Sequence, residues 1–279
     1  MFFLAKTTEG YVFKILSELL QANMKHVCFN ISKEGIKMGI IDHSERTMFD
    51  LNLDADNFIT YKFEGVIPIN IGINLKHFHK MLKSMKKKDS IELYIEEQES
   101  TNFNIRVIPV GNNRISTSSI RIHTHQTIDM EIPEGYKRPV IVFSSDFQKM
   151  IKDLRAISDI VNFKAYESRV VFKCSVDNVF SKDIVFGDNI EDEKCKLEEN
   201  FDINQLLAII KIGGLTKSIQ IFSKPGSAVM LKAMVGTLGT LCVYTKGEQL
   251  LLMENETCAN EMENSRLHCK LDSIYNFGN

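Results

Sequence analysis

The groups in this chain that could do chemistry are spaced in ways that exclude more than they suggest. Asp42, Asp50 and Asp54 are three carboxylates close in sequence, and a nuclease could use such acids if they met around a metal. They fall on a strand and in the turn after it, where turn and edge roles account for them. Two close histidine pairs exist, His77 with His79 and His123 with His125. Neither has the nearby cysteine or carboxylate ligands that a zinc site requires. Gly213-Gly214-Leu215-Thr216-Lys217-Ser218 lacks the spacing of a phosphate-cradling loop. Ser84 and Lys87 have the spacing of a serine-lysine pair in penicillin-binding enzymes but lack the companion motifs. No catalytic residue, metal or cofactor is assigned, and the chain is expected not to be an enzyme.

Lysine is the residue type whose spacing carries information. NLKHFHKMLKSMKKKDS, Asn74 to Ser90, crowds Lys76, Lys80, Lys83, Lys86, Lys87 and Lys88 into one segment. Yet the chain has 34 Lys+Arg against 36 Asp+Glu, a formal net charge of −2. At 3.6 residues per turn, Lys76, Lys80, Lys83 and Lys87 share one helix face, with Leu75, Phe78, Met81, Leu82 and Met85 opposite. Asn74 stands where an N-cap would. The segment reads as an amphipathic helix, apolar behind and basic in front. A front of that kind suits a solvated surface or one that meets a polyanion.

Three further helical periods surround it: residues 9–21, 144–156 and 203–212. Between them run strand-like segments that alternate apolar and polar residues, as half-buried antiparallel strands do. The order of helix, strands, helix, strands occurs twice, which predicts an α+β fold of two similar domains, each with two helices packed on antiparallel sheet. Residues 1–119 and 135–247 are the two domains, 120–134 an extended connector and 248–279 a C-terminal tail. Each helix has a polar face: Gly10, Lys14, Ser17, Glu18 and Gln21 on the first, Lys149 and Lys152 with Asp153 on the third, Asn204, Ala208 and Lys211 on the fourth. The acid lies elsewhere, notably in the loop-like DNIEDEKCKLEEN at 188–200 and in IEEQES at 95–100.

A 279-residue chain with 44% hydrophobic and 25% charged residues has an ordinary globular composition. No segment approaches the ~18 unbroken apolar residues of a membrane span, and MFFLAKTTEG turns polar too soon for a signal peptide. The six cysteines form no C-x-x-C pair, and several sit in apolar strand-like runs. They read as buried thiols in a reducing compartment, not as a disulfide framework.

Several stretches together give a resemblance. GIKMGIIDHSERTMFDLNL (35–53), INIGINLKHFHKMLKSMKKKDSIELYI (69–95), IPEGYKRPVIVFSSDFQKMIKDL (132–154), FDINQLLAIIKIGGL (201–215) and AVMLKAMVGTLGTLCVYT (228–245) occur in an order and spacing similar to the proliferating cell nuclear antigen family of DNA sliding clamps. The resemblance implies a head-to-tail homotrimeric ring around double-stranded DNA, with helices lining the hole and sheet outside. It implies pairing between edge strands near 115–122 and 179–186 of neighbouring subunits. Its DNA-facing positions match Lys14, Lys80, Lys83, Lys149, Lys152 and Lys211; Lys76 and Lys87 add to the second helix. Ile15, Gln21 and Asn204 stand where the family often has basic residues.

The resemblance also implies a hydrophobic pocket beside the connector, at Ile41, Glu45, Met48, Met130, Ile132, Ala228 and Tyr244. There a DNA polymerase, a ligase or a flap nuclease would insert an aliphatic and two aromatic side chains. Glu45 replaces a residue that is often histidine. An ATP-dependent clamp loader is implied, with residence in a nucleus or at a viral replication site. Glu167 stands where the family carries a lysine modified to recruit repair polymerases, with Lys164 nearby. The tail has no counterpart in the family; its LDSIYNFG end, with Ile274, Tyr275 and Phe277, leaves open a loosely packed tail or a segment folded back into the pocket. Two other assemblies remain open: a monomer or dimer holding DNA directly by charge, and one subunit of a heterotrimeric checkpoint clamp.

Overall fold

The computed structural model of the chain describes residues 1–111, 114–123, 131–176, 179–188 and 193–257. The first half runs β1 (Phe3–Thr7), α1 (Gly10–Asn23), β2 (His26–Ile31), β3 (Gly35–Ile41), β4 (Thr47–Asp54), β5 (Thr60–Phe63), β6 (Ile69–Asn74), α2 (Leu75–Leu82), β7 (Ser90–Ile95), β8 (Asn102–Ile108) and β9 (Ser116–Arg121). The second runs β10 (Val140–Phe143), α3 (Ser144–Arg155), β11 (Ile160–Ala165), β12 (Arg169–Val176), β13 (Phe180–Gly187), β14 (Leu197–Asp202), α4 (Ile203–Ile209), β15 (Ser218–Phe222), β16 (Val229–Val235) and β17 (Gly239–Thr245). The duplication expected from the sequence is present, with β5 as an addition to the first half.

The strands form three antiparallel sheets. One has the order β5-β1-β7-β8-β9 and another β13-β12-β11-β14. The third, β10-β15-β16-β17-β4-β3-β2-β6, crosses from one half into the other where β17 pairs with β4. One hydrophobic core accordingly runs through both halves. Strands β9 and β13 are sheet edges, as expected for 115–122 and 179–186, and expose Ile115, Val179, Phe180 and Val185 on or beside them.

The helices form one layer. α1 packs on α2 and α4, and α3 packs on α4 and on the 3₁₀ turn Ile210–Gly214 that follows it. A hydrogen bond joins the halves here, Asn23 Nδ2 donating to the Ala208 carbonyl (3.0 Å), and within the second half Gln148 Nε2 on α3 donates to the Ile210 carbonyl (3.2 Å). The glycine end of the turn has no room for a Cβ, since one at Gly214 would come within 2.9 Å of Ile15 and one at Gly213 within 3.0 Å of Gln148. Gly10 is buried for a like reason: a Cβ there would meet the Asp89 carbonyl oxygen at 2.7 Å. Ser17 is buried too, so the polar face of α1 is narrower than its spacing suggested.

Other expectations need correction. Helix α2 stops at Leu82 and does not reach residue 86, so Lys87 leaves the shared face. A turn replaces the last helical residues. The Asp89 carboxylate accepts from the Lys86 backbone N–H, and the Lys86 carbonyl accepts from the Asp89 N–H, while Met85 turns inward. The acidic stretch 188–200 is not all loop. Its end belongs to β14, where Leu197, Glu199 and Phe201 alternate inward. The stretch expected as a tail starts as a helix over 248–257. These last two corrections are linked. Glu199, 5% exposed, offers its carboxylate to the first-turn N–H groups of Gln249 (3.1 Å) and Leu250 (3.4 Å). Those donors have no partner within the helix. Burial pushes the Glu199 carboxyl up, and the two backbone N–H groups act against that shift. In return, the Gln249 side chain accepts from the Asn200 N–H at 2.7 Å.

No helix among the described residues is long and apolar enough to cross a membrane. Replacing Glu199 with Ala is expected to free the first-turn donors, costing about 1 kcal/mol of local stability. Hydrogen exchange should then show faster amides at 248–251 and unchanged protection in β17.

Candidate nucleic-acid face and docking pocket

The two groups of residues singled out above sit in different layers. Lys76, Lys80 and Lys83 are exposed on α2 and at its end, Lys149 and Lys152 on α3, and Lys211 in the turn after α4. The Asn74 side chain caps α2 by accepting from the His77 N–H at 3.1 Å. No carboxylate lies within 4 Å of Lys76, Lys80, Lys83, Lys87, Lys149 or Lys152 among the described residues. Of the acids on α3, Asp153 is held by Lys182 at 3.0 Å, and Asp146 lies in the first turn. Lys211 differs from the others, since it pairs with Glu18 at 2.9 Å. Lys14 is half-buried, with its Nζ 3.3 Å from the Met85 carbonyl oxygen and over the Tyr11 ring.

His79 reports the local field. Its Nδ1 lies 3.2 Å from the Ser17 hydroxyl in the α1–α2 seam. Burial is the largest cause of its lowered pKa, and Lys83, Lys14 and Lys211 push the same way while Glu18 opposes them. Cations from three helical segments therefore converge on this part of the helical layer.

The pocket is built across strands. Ile41 is opposite Met48, Met48 opposite Tyr244, and Tyr244 opposite Met230, so four side chains form a row across β3, β4, β17 and β16. Around that row lies a cavity of about 460 Å³ lined by Ile41, Glu45, Arg46, Met48, Glu131, Pro133, Gly226, Ser227, Ala228, Tyr244, Lys246, Leu250 and Glu254. Five of the seven expected pocket residues thus come together. Ile132 is 47% exposed on the connector and does not line the cavity. Met130 lies outside the described residues.

Sequence reading missed Arg46, Lys246, Leu250 and Glu254, and it missed Tyr136, whose hydroxyl donates to the Ala228 carbonyl at 2.6 Å. Its ring packs against Phe222 and Tyr244, and burial pushes the phenol up to about 12. Leu250 and Glu254 are four apart, a helical spacing that the apolar run QLLLM obscures. Glu45 takes φ 57°, a left-handed conformation at the tip of the β3–β4 turn.

The remaining candidates disperse. Asp42 accepts the backbone N–H groups of Arg46 and Thr47, and Asp54 accepts the Asn52 amide at the far end of β4. Asp50 is half-buried between them, its carboxyl raised by burial. These are turn and strand-end roles, and the three acids share no centre. No group of three or more His, Cys, Asp or Glu among the described residues is placed to hold a metal ion. Glu167 pairs with Lys196, and Lys164 with Glu198 at 3.0 Å. Cys174 is buried and Cys28, Cys195 and Cys242 are half-buried; Cys258, Cys269, His125 and the segment carrying Ile274, Tyr275 and Phe277 lie outside the described residues.

A duplicated helix-on-sheet unit with an unneutralised cationic helix layer and an apolar surface pocket defines a DNA-clamp architecture. Residues 1–132 match the family described as proliferating cell nuclear antigen, N-terminal domain. The probable DNA polymerase sliding clamp 1 of Paramecium bursaria Chlorella virus 1 is 22% identical over 245 residues, covering 85% of this chain and 93% of that protein. The DNA polymerase sliding clamp of Pyrococcus horikoshii is 28% identical over 162 residues, 58% of this chain and 62% of that one. An uncharacterized protein, 436R, of Invertebrate iridescent virus 6 is 24% identical over 264 residues, 86% and 84% of the two chains. Residues 1–132 are thus similar to the N-terminal domain of the proliferating cell nuclear antigen family, and most of the chain is similar to a protein named as a DNA polymerase sliding clamp.

Replacing Tyr136 with Phe removes the hydroxyl that fixes the 226–228 loop over the pocket. A stability loss of about 1 kcal/mol is expected, read by scanning calorimetry as a fall of about 2 °C in the unfolding midpoint.

Proposed function

We propose that this chain is a DNA sliding clamp, a processivity factor that encircles duplex DNA and tethers a DNA polymerase and other replication and repair enzymes. The observation that carries the reading is the contiguous helical layer whose exposed lysines on α2 and α3 have no carboxylate partners among the described residues. Phosphates spaced along a duplex can be met by such lysines through shallow, interchangeable contacts. Interchangeable contacts hold register loosely, which permits sliding. Persistence then comes from enclosure: a closed ring cannot leave duplex DNA without opening.

The assembly in this proposal is a head-to-tail homotrimer in which β9 of one subunit pairs with β13 of the next. Pairing would satisfy two open sheet edges and cover Ile115, Val179, Phe180 and Val185, which otherwise invite non-specific association. Loading a closed ring calls for an opener, and an ATP-dependent clamp loader is the proposed partner. Clients dock in the pocket across β3, β4 and β17, inserting aliphatic and aromatic side chains, which raises their effective concentration at the primer end. The proposed setting is a nucleus or a viral replication site.

One observation favours a second reading, a monomer or dimer that holds DNA directly. Lys86, Lys87, Lys88 and Arg114 surround a groove of about 750 Å³ beyond the end of α2. A basic groove off the helical face could grip phosphate without ring closure.

Light scattering over a tenfold dilution series decides between them. A species of about three times the 31.9 kDa chain mass that persists on dilution is expected; a monomer throughout would favour the second reading. Replacing Lys80 and Lys83 together with Ala should reduce the slope of log affinity against log salt by about 0.9 for each phosphate no longer neutralised, while leaving the solution mass unchanged.

A further inference from the structure

The C-terminal helix is a fixed part of the docking pocket. Leu250 is buried with Ala228, Met230 and Tyr244, and Met48, Tyr136 and Phe222 pack around them. Glu199 receives the first-turn N–H groups, the Gln249 side chain bonds to β14, and Lys246 Nζ lies 2.7 Å from Glu254 Oε2. Contacts to β14, to Lys246 and to the cluster around Tyr244 hold the helix where Leu250 and Glu254 face the cavity.

The charges of the mouth follow from those anchors. Glu45 on the β3–β4 turn and Glu131 on the connector have no cation within 4 Å among the described residues, and Arg46 has no carboxylate within that distance. Glu254 neutralises Lys246. Among the described lining residues, the uncompensated charge at the mouth is therefore two carboxylates against one guanidinium. Without Glu254, Lys246 would be free and the mouth would be balanced.

Resting on the docking function proposed above, we infer that Leu250 and Glu254 are specificity-determining residues. Leu250 supplies a wall for an apolar anchor. Glu254 removes Lys246 from the field of the mouth, so that the pocket selects client segments that carry a basic residue beside the anchor.

The test uses the full chain and fluorescein-labelled dodecapeptides with one aliphatic and two aromatic residues, made with either lysines or glutamates flanking them. Polarisation titrations should show the lysine-flanked peptide binding more tightly by about fivefold at low salt, with the gap closing as salt rises. Glu254→Gln should abolish the preference, weakening the lysine peptide and strengthening the glutamate peptide. Leu250→Ala should weaken both by about tenfold, and Leu250→Met should restore most of that loss. Circular dichroism confirms that each variant keeps its fold. Wild-type binding with no flank preference, or a preference and affinity that survive both substitutions, would overturn the inference and leave docking intact. Failure of both peptides to bind wild-type protein would overturn docking itself, and the inference with it.

Discussion

The pairing of β17 with β4 is the contact on which the rest of the structure depends. Seven residue pairs, from Gly239 with Leu53 to Thr245 with Thr47, join the last described strand to one near the start of the chain. Through them two similar halves share an eight-stranded sheet and one core. Flat sheet alone would leave the halves free to slip, but inward side chains forbid it. Phe49, Leu51, Leu53, Leu241 and Val243 are almost fully buried, and a one-residue slip of either strand would turn that strand's share of them outward. The same pairing fixes both functional surfaces. On one side it sets the spacing of the helices that Asn23 and Gln148 then lock together. On the other it aligns Met48 with Tyr244 and makes the pocket floor.

Charge is distributed to match. The chain is slightly acidic overall, yet its acids are placed where they do not neutralise α2 or the exposed lysines of α3. Asp89 is turned back to its own backbone, Asp153 is taken by Lys182, and Glu199 caps a helix. Glu18 differs, since it pairs with Lys211 within the helical layer. A long-range attraction for a polyanion requires a local excess of one sign and does not require net charge of that sign. Such an excess is screened over about 8 Å at physiological salt, which makes the contact short-ranged and readily exchanged.

Much of this was legible in the sequence, for physical reasons that vary by element. The apolar periods of α1 and α3 and the alternation of β2, β3, β4 and β12 are strong because each element buries one face against the common core. The pocket row was legible only through resemblance, since Ile41 and Met48 look like ordinary core residues. Composition misled at β14, where Glu198, Glu199 and Asn200 suggest a loop. The burial of Glu199 has a tertiary cause, the open N–H groups of a helix about 50 residues away, and no local pattern reports it. The end of α2 was misplaced for the opposite reason. Lys86 to Lys88 have good helix propensity, but Asp89 closes a turn and Met85 fills space beside Gly10. Helix 248–257 was missed because Leu250, Leu251 and Leu252 form a run that shows no period; only the first of them is buried.

The two surfaces make different demands on the chain, and the fold separates them accordingly. Sliding needs many weak, equivalent contacts, so lysines on flexible stems serve it and their exact placement matters little. Docking needs a defined shape, because one apolar cavity must accept some segments and refuse others. Ile15, expected at a basic position of the helical layer, is buried in the core, and the layer's charge rests on its exposed lysines. No equivalent substitute exists at the pocket floor, where Tyr244 touches both Tyr136 and the cluster around Leu250. A helix added after β17 can reshape that floor without disturbing the lysine-bearing face, because its anchors lie on β14, on Lys246 and on the pocket cluster. The cavity is thereby free to vary while the lysine-bearing layer is kept.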